Sequence, residues 1–128
     1  MRISYFKNLS SGSVLWTVSC SAVTLFVADS GGNVTTLSLT GFGTNYSLSI
    51  ASKTADCEFN PSWLTLDATN RVLYCLDRGS NSVPNGSLSS FYWGGGLTRI
   101  ARISAPFSGV AGNLVTTESG ARGYVSAS

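Results

Sequence analysis

The chain has 128 residues and a net charge of +2, from 8 Lys and Arg against 6 Asp and Glu. That length suits one small domain and excludes a large multidomain enzyme. Charged residues make up 11% against an average of roughly 25%, and the basic ones (Arg2, Lys7, Lys53, Arg71, Arg78, Arg99, Arg102, Arg122) are too dispersed to form a nucleic-acid patch. His is absent, which excludes Ser-His-Asp and Cys-His chemistry within the chain.

Taken in order, Arg2 and Lys7 precede a short apolar run, Val14 to Val18, and a small-residue stretch, Cys20-Ser21-Ala22, that could be cleaved as a secretory signal. The polar stretch 8–13 argues against that reading, so localisation stays open between cytoplasm and secretion. No run approaches the roughly 18 apolar residues that span a bilayer, so no membrane partner is expected. Strands are predicted at Val14 to Val18, Val23 to Asp29, Asn33 to Leu39 and Tyr46 to Ile50. Next come Ser62 to Asp67, with Pro61 tolerated at its start, and, after the turn Ala68 to Arg71, Val72 to Asp77. The near-continuous apolar character of Val72 to Asp77 predicts burial on both faces. Ser87 to Trp93 alternates, Gly94-Gly95-Gly96 turns, and Leu97 to Ile103 alternates again. No stretch combines helical periodicity with capping.

A repeat organises these strands. The segment from Trp16 to Asp29 lies over the segment from Trp63 to Asp77 with one inserted residue, and Asn33 to Thr40 lies over Gly86 to Trp93. A third copy begins near Asn113 and runs through Arg122 to Ser128. Phe26, Tyr74 and Tyr124 recur at intervals of 48 and 50 residues, a period that suits propeller blades. The expected fold is all-β, a partial β-propeller with two four-stranded antiparallel blades (14–60 and 61–109) and the first strands of a third (110–128).

The run Asn60-Pro-Ser-Trp-Leu-Thr-Leu-Asp67, with Arg71-Val-Leu-Tyr-Cys-Leu-Asp77 and Asn85-Gly-Ser-Leu-Ser-Ser-Phe91, resembles the lactonase family of seven-bladed β-propellers. That family includes 6-phosphogluconolactonases and fungal enzymes related to carboxy-cis,cis-muconate cyclase. Leu25 to Asp29, Ser108 to Gly112 and Arg122 to Ser128 support the resemblance, which covers residues 23–128. It implies a hydrolase acting on a lactone or sugar acid, with this chain an N-terminal piece that lacks a full active site and, alone, is inactive. The family commonly carries an acidic residue after the second strand of this blade. Here Asp77 is followed by Arg78, which reverses the local charge.

The substrate-binding candidates are Asn60, Asp77 and Arg78, at strand ends where a propeller displays its functional groups. Each has a plainer reading as a turn or strand-start residue, and Asp29, in the place of Asp77 in the first copy, favours a turn role for both aspartates. Trp16, Trp63, Phe26 and Tyr74 read as packing between neighbouring blades rather than ligand stacking. Gly94 to Gly96 lacks the strand-to-helix context and the Lys of a phosphate loop. Asp56 and Glu58 could be imagined as a glycosidase carboxylate pair, with a solvated loop as the default.

Cys20, Cys57 and Cys75 have no zinc-site spacing, and neither metal nor cofactor is implied. Cys57 and Cys75 can pair in a secreted chain, but buried free thiols are the expectation. Asn8, Asn33, Asn45 and Asn85 begin Asn-x-Ser/Thr sequons, which matter only on secretion. The competing reading from another class is a non-catalytic module that self-associates through open blade edges.

Overall fold

Small β-branched and serine-rich runs broken by Gly, Asn and Asp turns can satisfy their backbone only by pairing strand to strand. In the computed structural model, which describes residues 2–9, 12–19, 21–82, 85–105 and 109–127, with side chains from 22 onward, they do so throughout. β1 (Arg2–Leu9) and β2 (Gly12–Ser19) pair as a separate hairpin; β3 (Ser21–Ala28), β4 (Val34–Phe42) and β5 (Asn45–Thr54) form the first of three successive sheets. β6 (Pro61–Asp67), β7 (Val72–Asp77), β8 (Gly86–Trp93) and β9 (Leu97–Ala105) form a four-stranded meander, and β10 (Ala111–Thr116) pairs with β11 (Arg122–Ala127). Every pairing is antiparallel, as an open partial propeller requires.

The second predicted blade has its four strands. The first does not: β3, β4 and β5 make a sheet of three, and the run Val14 to Val18 lies in β2, facing β1 instead of β3. β2 matches β1 over a continuous register from Arg2↔Ser19 to Leu9↔Gly12, and this match extends it to within one residue of β3, too few for a hairpin between the two.

The repeat is visible in a shared irregularity. β4 and β5 slip register between Thr36 and Leu37, and β8 and β9 slip between Ser90 and Phe91. Leu37 pairs with Leu25 on β3, and Phe91 pairs with Leu73 on β7, so the bulge occupies one and the same row of both sheets. Structure therefore aligns Leu37 with Phe91, one residue on from the sequence alignment, which set Leu37 against Ser90. A bulge bends and twists its strand, and it does so here at the same row of both sheets.

Packing follows from the faces that the registers create. On β3 to β5 one face is small and polar around Phe26, Val34 and Thr36; on the central sheet the face carrying Leu73, Cys75 and Phe91 lies against it. Val34, Cys57, Leu73, Cys75 and Phe91 form a fully buried core, with Phe26, Leu64 and Trp93 packed around it. β7 is buried on both sides as predicted, Leu73 and Cys75 on one face and Leu76 on the other. The expectation of free thiols is corrected: Cys57, in the connector between sheets, is disulfide-bonded to Cys75, with Cα atoms 6.1 Å apart.

The aromatic repeat positions join neighbouring sheets. Phe26 meets Trp93 edge to face at 5.8 Å between ring centres, and Tyr74 meets Tyr124 at 5.6 Å. The side chain of Trp16 lies outside the described residues. One turn admits no substitute: Gly32 has φ +84°, and a Cβ there would sit 1.6 Å from the Glu58 carbonyl oxygen.

Candidate functional site

The three predicted site residues come together at one end of the central sheet, held by backbone bonds. Asp77 closes β7 and is 2% exposed; its Oδ1 accepts the N–H of Asn60 at 2.7 Å and that of Gly79 at 3.2 Å. The Arg78 N–H donates to the Asn60 carbonyl at 3.2 Å, extending the β6–β7 ladder by one rung. Asn60 is half-buried, and the Arg78 side chain is exposed. The cluster thus offers an outward guanidinium on a fixed base, while the Asp77 carboxylate is turned inward on backbone donors.

Asp29 repeats the motif in the first sheet. Its Oδ1 accepts the N–H of Gly31 at 2.8 Å, two residues on, as Asp77 does from Gly79, and it adds bonds from the Asn33 backbone and amide. Hydrogen bonding by the Asn33 side chain, then by the Gly31 N–H, holds the Asp29 carboxyl below its ordinary value; Lys53 at 3.8 Å contributes least. A carboxyl depressed on folding stabilises the protein above its unfolded value, and that contribution fades as pH falls through the folded one. Asn33→Ala is therefore expected to move the Asp29 titration upward toward the usual carboxylate range, read by NMR of the side-chain carboxyl. An unmoved titration would show that Asn33 is not the cause.

A groove of about 580 Å³ runs between the edge strands β6 and β10, lined by Trp63 to Leu66, Ala111 to Asn113, Val125 and Ala127. Hydrogen bonds across it fix the third sheet: Ser62 Oγ donates to the Gly109 carbonyl at 2.6 Å, and Thr65 Oγ1 to that of Gly112 at 3.3 Å. Below it, Arg122 forms an ion pair with Asp67, which is 6% exposed and also accepts from the Asn70 N–H and amide. Burial pushes the Tyr124 phenol above its ordinary value, against the opposing hydrogen bond with Thr65, so it stays neutral beside that hydroxyl. The groove wall is mostly apolar with a few polar handles, suited to binding and positioning rather than to proton transfer.

A second cavity of about 450 Å³ lies between the first and central sheets, bounded by Phe26, Thr36, Arg71, Trp93 and Gly94 to Gly96. Thr36 Oγ1 and Trp93 Nε1 are buried and make no hydrogen bond among the described residues. The three glycines serve as a hairpin turn between β8 and β9, Gly95 and Gly96 taking positive φ. Asp56 and Glu58 each find a separate partner: Asp56 accepts from Thr54 Oγ1 at 2.9 Å, and Glu58 pairs with Arg102 on β9.

Ser62, Thr65, Asp67 and Arg122 escaped sequence reading as an inter-sheet set. Asp67 and Arg122 lie 55 residues apart, and only the position of each at the turn end of its strand hinted at a meeting.

Comparison with protein families matches residues 20–128 to the family described as Lactonase, 7-bladed beta-propeller. Searches of curated proteins and of solved structures return no match. With open antiparallel sheets stacked in the propeller manner, and with that match over most of its length, the chain belongs to the lactonase family of seven-bladed β-propellers.

Proposed function

We propose that this chain supplies the opening blades of a propeller whose complete ring hydrolyses the lactone of a sugar acid or a related compound. The family match over residues 20–128 carries this reading. Water would add to the lactone carbonyl, the oxyanion would be held by fixed donors, and the ring oxygen would leave with a proton. Arg78 is the residue of this chain best suited to such a substrate. An exposed guanidinium anchored beside Asn60 matches a carboxylate or phosphate through paired hydrogen bonds. In this reading Asn60 and Asp77 hold Arg78 in position. The chain alone is expected to open 6-phosphogluconolactone no faster than buffer. A form extended to the full ring should open it, with Arg78→Ala raising KM about tenfold, or about 1.4 kcal/mol. An inactive full ring would defeat the enzymatic reading, and an active 128-residue chain would defeat the claim that its site is incomplete.

A second reading, a module that assembles with its own copies, is favoured by one surface. Val23, Leu25, Tyr46, Leu48 and Ile50 are exposed together on the face of the first sheet that points away from the core. By register, this face corresponds to the one that carries Leu73 and Phe91 in the central sheet, which is covered by the sheet before it. A solution mass several times that of one chain would support assembly, and a monomer would count against it.

A further inference from the structure

We propose that Asn45 is an N-glycosylation site and that the first sugar of its glycan lies on the ring of Phe42. The inference is independent of the lactonase reading.

Three observations meet at the tip of the β4–β5 hairpin. The tip is a two-residue loop, Gly43-Thr44, with Gly43 at φ +61°, so Phe42 and Asn45 are the closing pair, directly opposite on one face. Opposed residues of a strand pair have Cβ atoms only about 5 Å apart, which is the reach of a sugar attached to the Asn amide. Phe42 is 58% exposed. A pyranose, whose C–H face is weakly positive, fits the negative face of such an exposed ring. Tyr46, 72% exposed, lies on the opposite face from Asn45, its ring within 2.5 Å of where a Cβ of Gly41 would stand.

The acceptor requirements are also met. Asn45-Tyr46-Ser47 is a sequon, both Asn45 and Ser47 are exposed, and alternation along β5 puts their side chains on the same face. Among the described residues the Asn45 amide makes no hydrogen bond. Asn33, by contrast, gives its amide to both oxygens of Asp29, and Ser87 of the Asn85 sequon is 2% exposed. The Asn8 side chain lies outside the described residues.

The Cys57–Cys75 bond supplies the compartment. A buried disulfide forms where thiols are oxidised, and in a eukaryote that is the lumen in which sequons are modified. In the transfer, Asn45 Nδ2 bonds to the anomeric carbon of an oligosaccharide. The bond from that carbon to the diphosphate of its lipid carrier breaks, the lipid diphosphate leaves, and the amide proton goes to a base of the transferase.

The test begins with the full chain, carried into microsomes by a cleavable leader, where modification is read without need of folding. A glycopeptide containing Asn45 is expected, with a gel shift reversed by endoglycosidase and one step lost in Asn45→Gln. An unmodified Asn45 beside a modified control glycoprotein would overturn the site. The chain secreted from yeast then tests the sugar contact. The glycosylated protein should melt about 3–6 °C above Asn45→Gln, and this gain should vanish in a Phe42→Ser background. An equal gain in both backgrounds would overturn the stacking.

Discussion

Replacing Cys57 or Cys75 by Ala is expected to lower the stability of the folded chain by about 3 kcal/mol or more. The bond joins residues 18 apart, and closing a loop of that size in the unfolded chain accounts for about 3 kcal/mol on the chain-entropy view. Both sulfurs are fully buried in the cluster of Val34, Leu73 and Phe91, so truncation also opens a void where two sheets meet. The effect has a place as well as a size. Cys57 lies in the connector that leaves the first sheet, and Cys75 lies in the middle of the central one, so the bond fastens the crossing between blades. Urea unfolding with and without reductant measures it: the midpoint should fall sharply with reductant in the parent chain and not at all in the double Ala variant. Alkylation of the denatured, unreduced protein should label only Cys20 of its 3 cysteines. Labelling of all 3 together with a reductant-insensitive midpoint would refute the bond.

How much of this was legible in the sequence depends on the range of the interaction involved. Short alternating runs bounded by Gly, Asn and Asp gave β3 to β11, most bounds within a residue or two, because strand pattern and turn chemistry are local; the far ends of β4 and β5 run on past the predicted Leu39 and Ile50 to Phe42 and Thr54. The repeat gave blade succession, and Phe26 and Tyr74 gave the inter-blade packing, since both signals survive at a distance of about one blade. What failed was the choice between partners. Val14 to Val18 reads equally well as a strand of a blade or as half of a hairpin, and the deciding factor is the eight-residue match that residues 2–9 offer it. The alignment of β4 on β8 is off by one because the loops that precede them differ in length, so spacing does not fix the match. Nor does spacing announce that Asp67 meets Arg122, or that Cys57 reaches Cys75 instead of staying reduced. Asn60, Asp77 and Arg78 lie together at one end of the central sheet, but their residue types do not tell which of them faces solvent. In the fold Asp77 turns inward and Arg78 stays outside.

Asp77→Ala is the variant that separates a structural from a substrate-contacting carboxylate, and a loss of about 3 kcal/mol is expected. Its Oδ1 is the acceptor for two backbone N–H groups, those of Asn60 and Gly79. Removing it leaves both donors in a site shielded from water, at about 1–3 kcal/mol each. Gly79 cannot rotate away cheaply, because it is buried and holds φ +80° to bring its N–H to that oxygen. Asp77→Asn keeps an acceptor oxygen in place and should recover most of the loss, whereas Asp29→Ala, at an exposed copy of the same turn, should have a smaller effect. The functional consequence follows from the ladder. The Asn60 carbonyl that receives the Arg78 N–H is placed by the same bond that Asp77 makes to the Asn60 N–H, so freeing Asn60 also frees the guanidinium. In a full ring, Asp77→Asn is expected to leave KM near the parent value, while Arg78→Ala raises it. Should Asp77→Asn instead abolish turnover with the fold and KM intact, the buried carboxylate would belong to the chemistry and not to the turn.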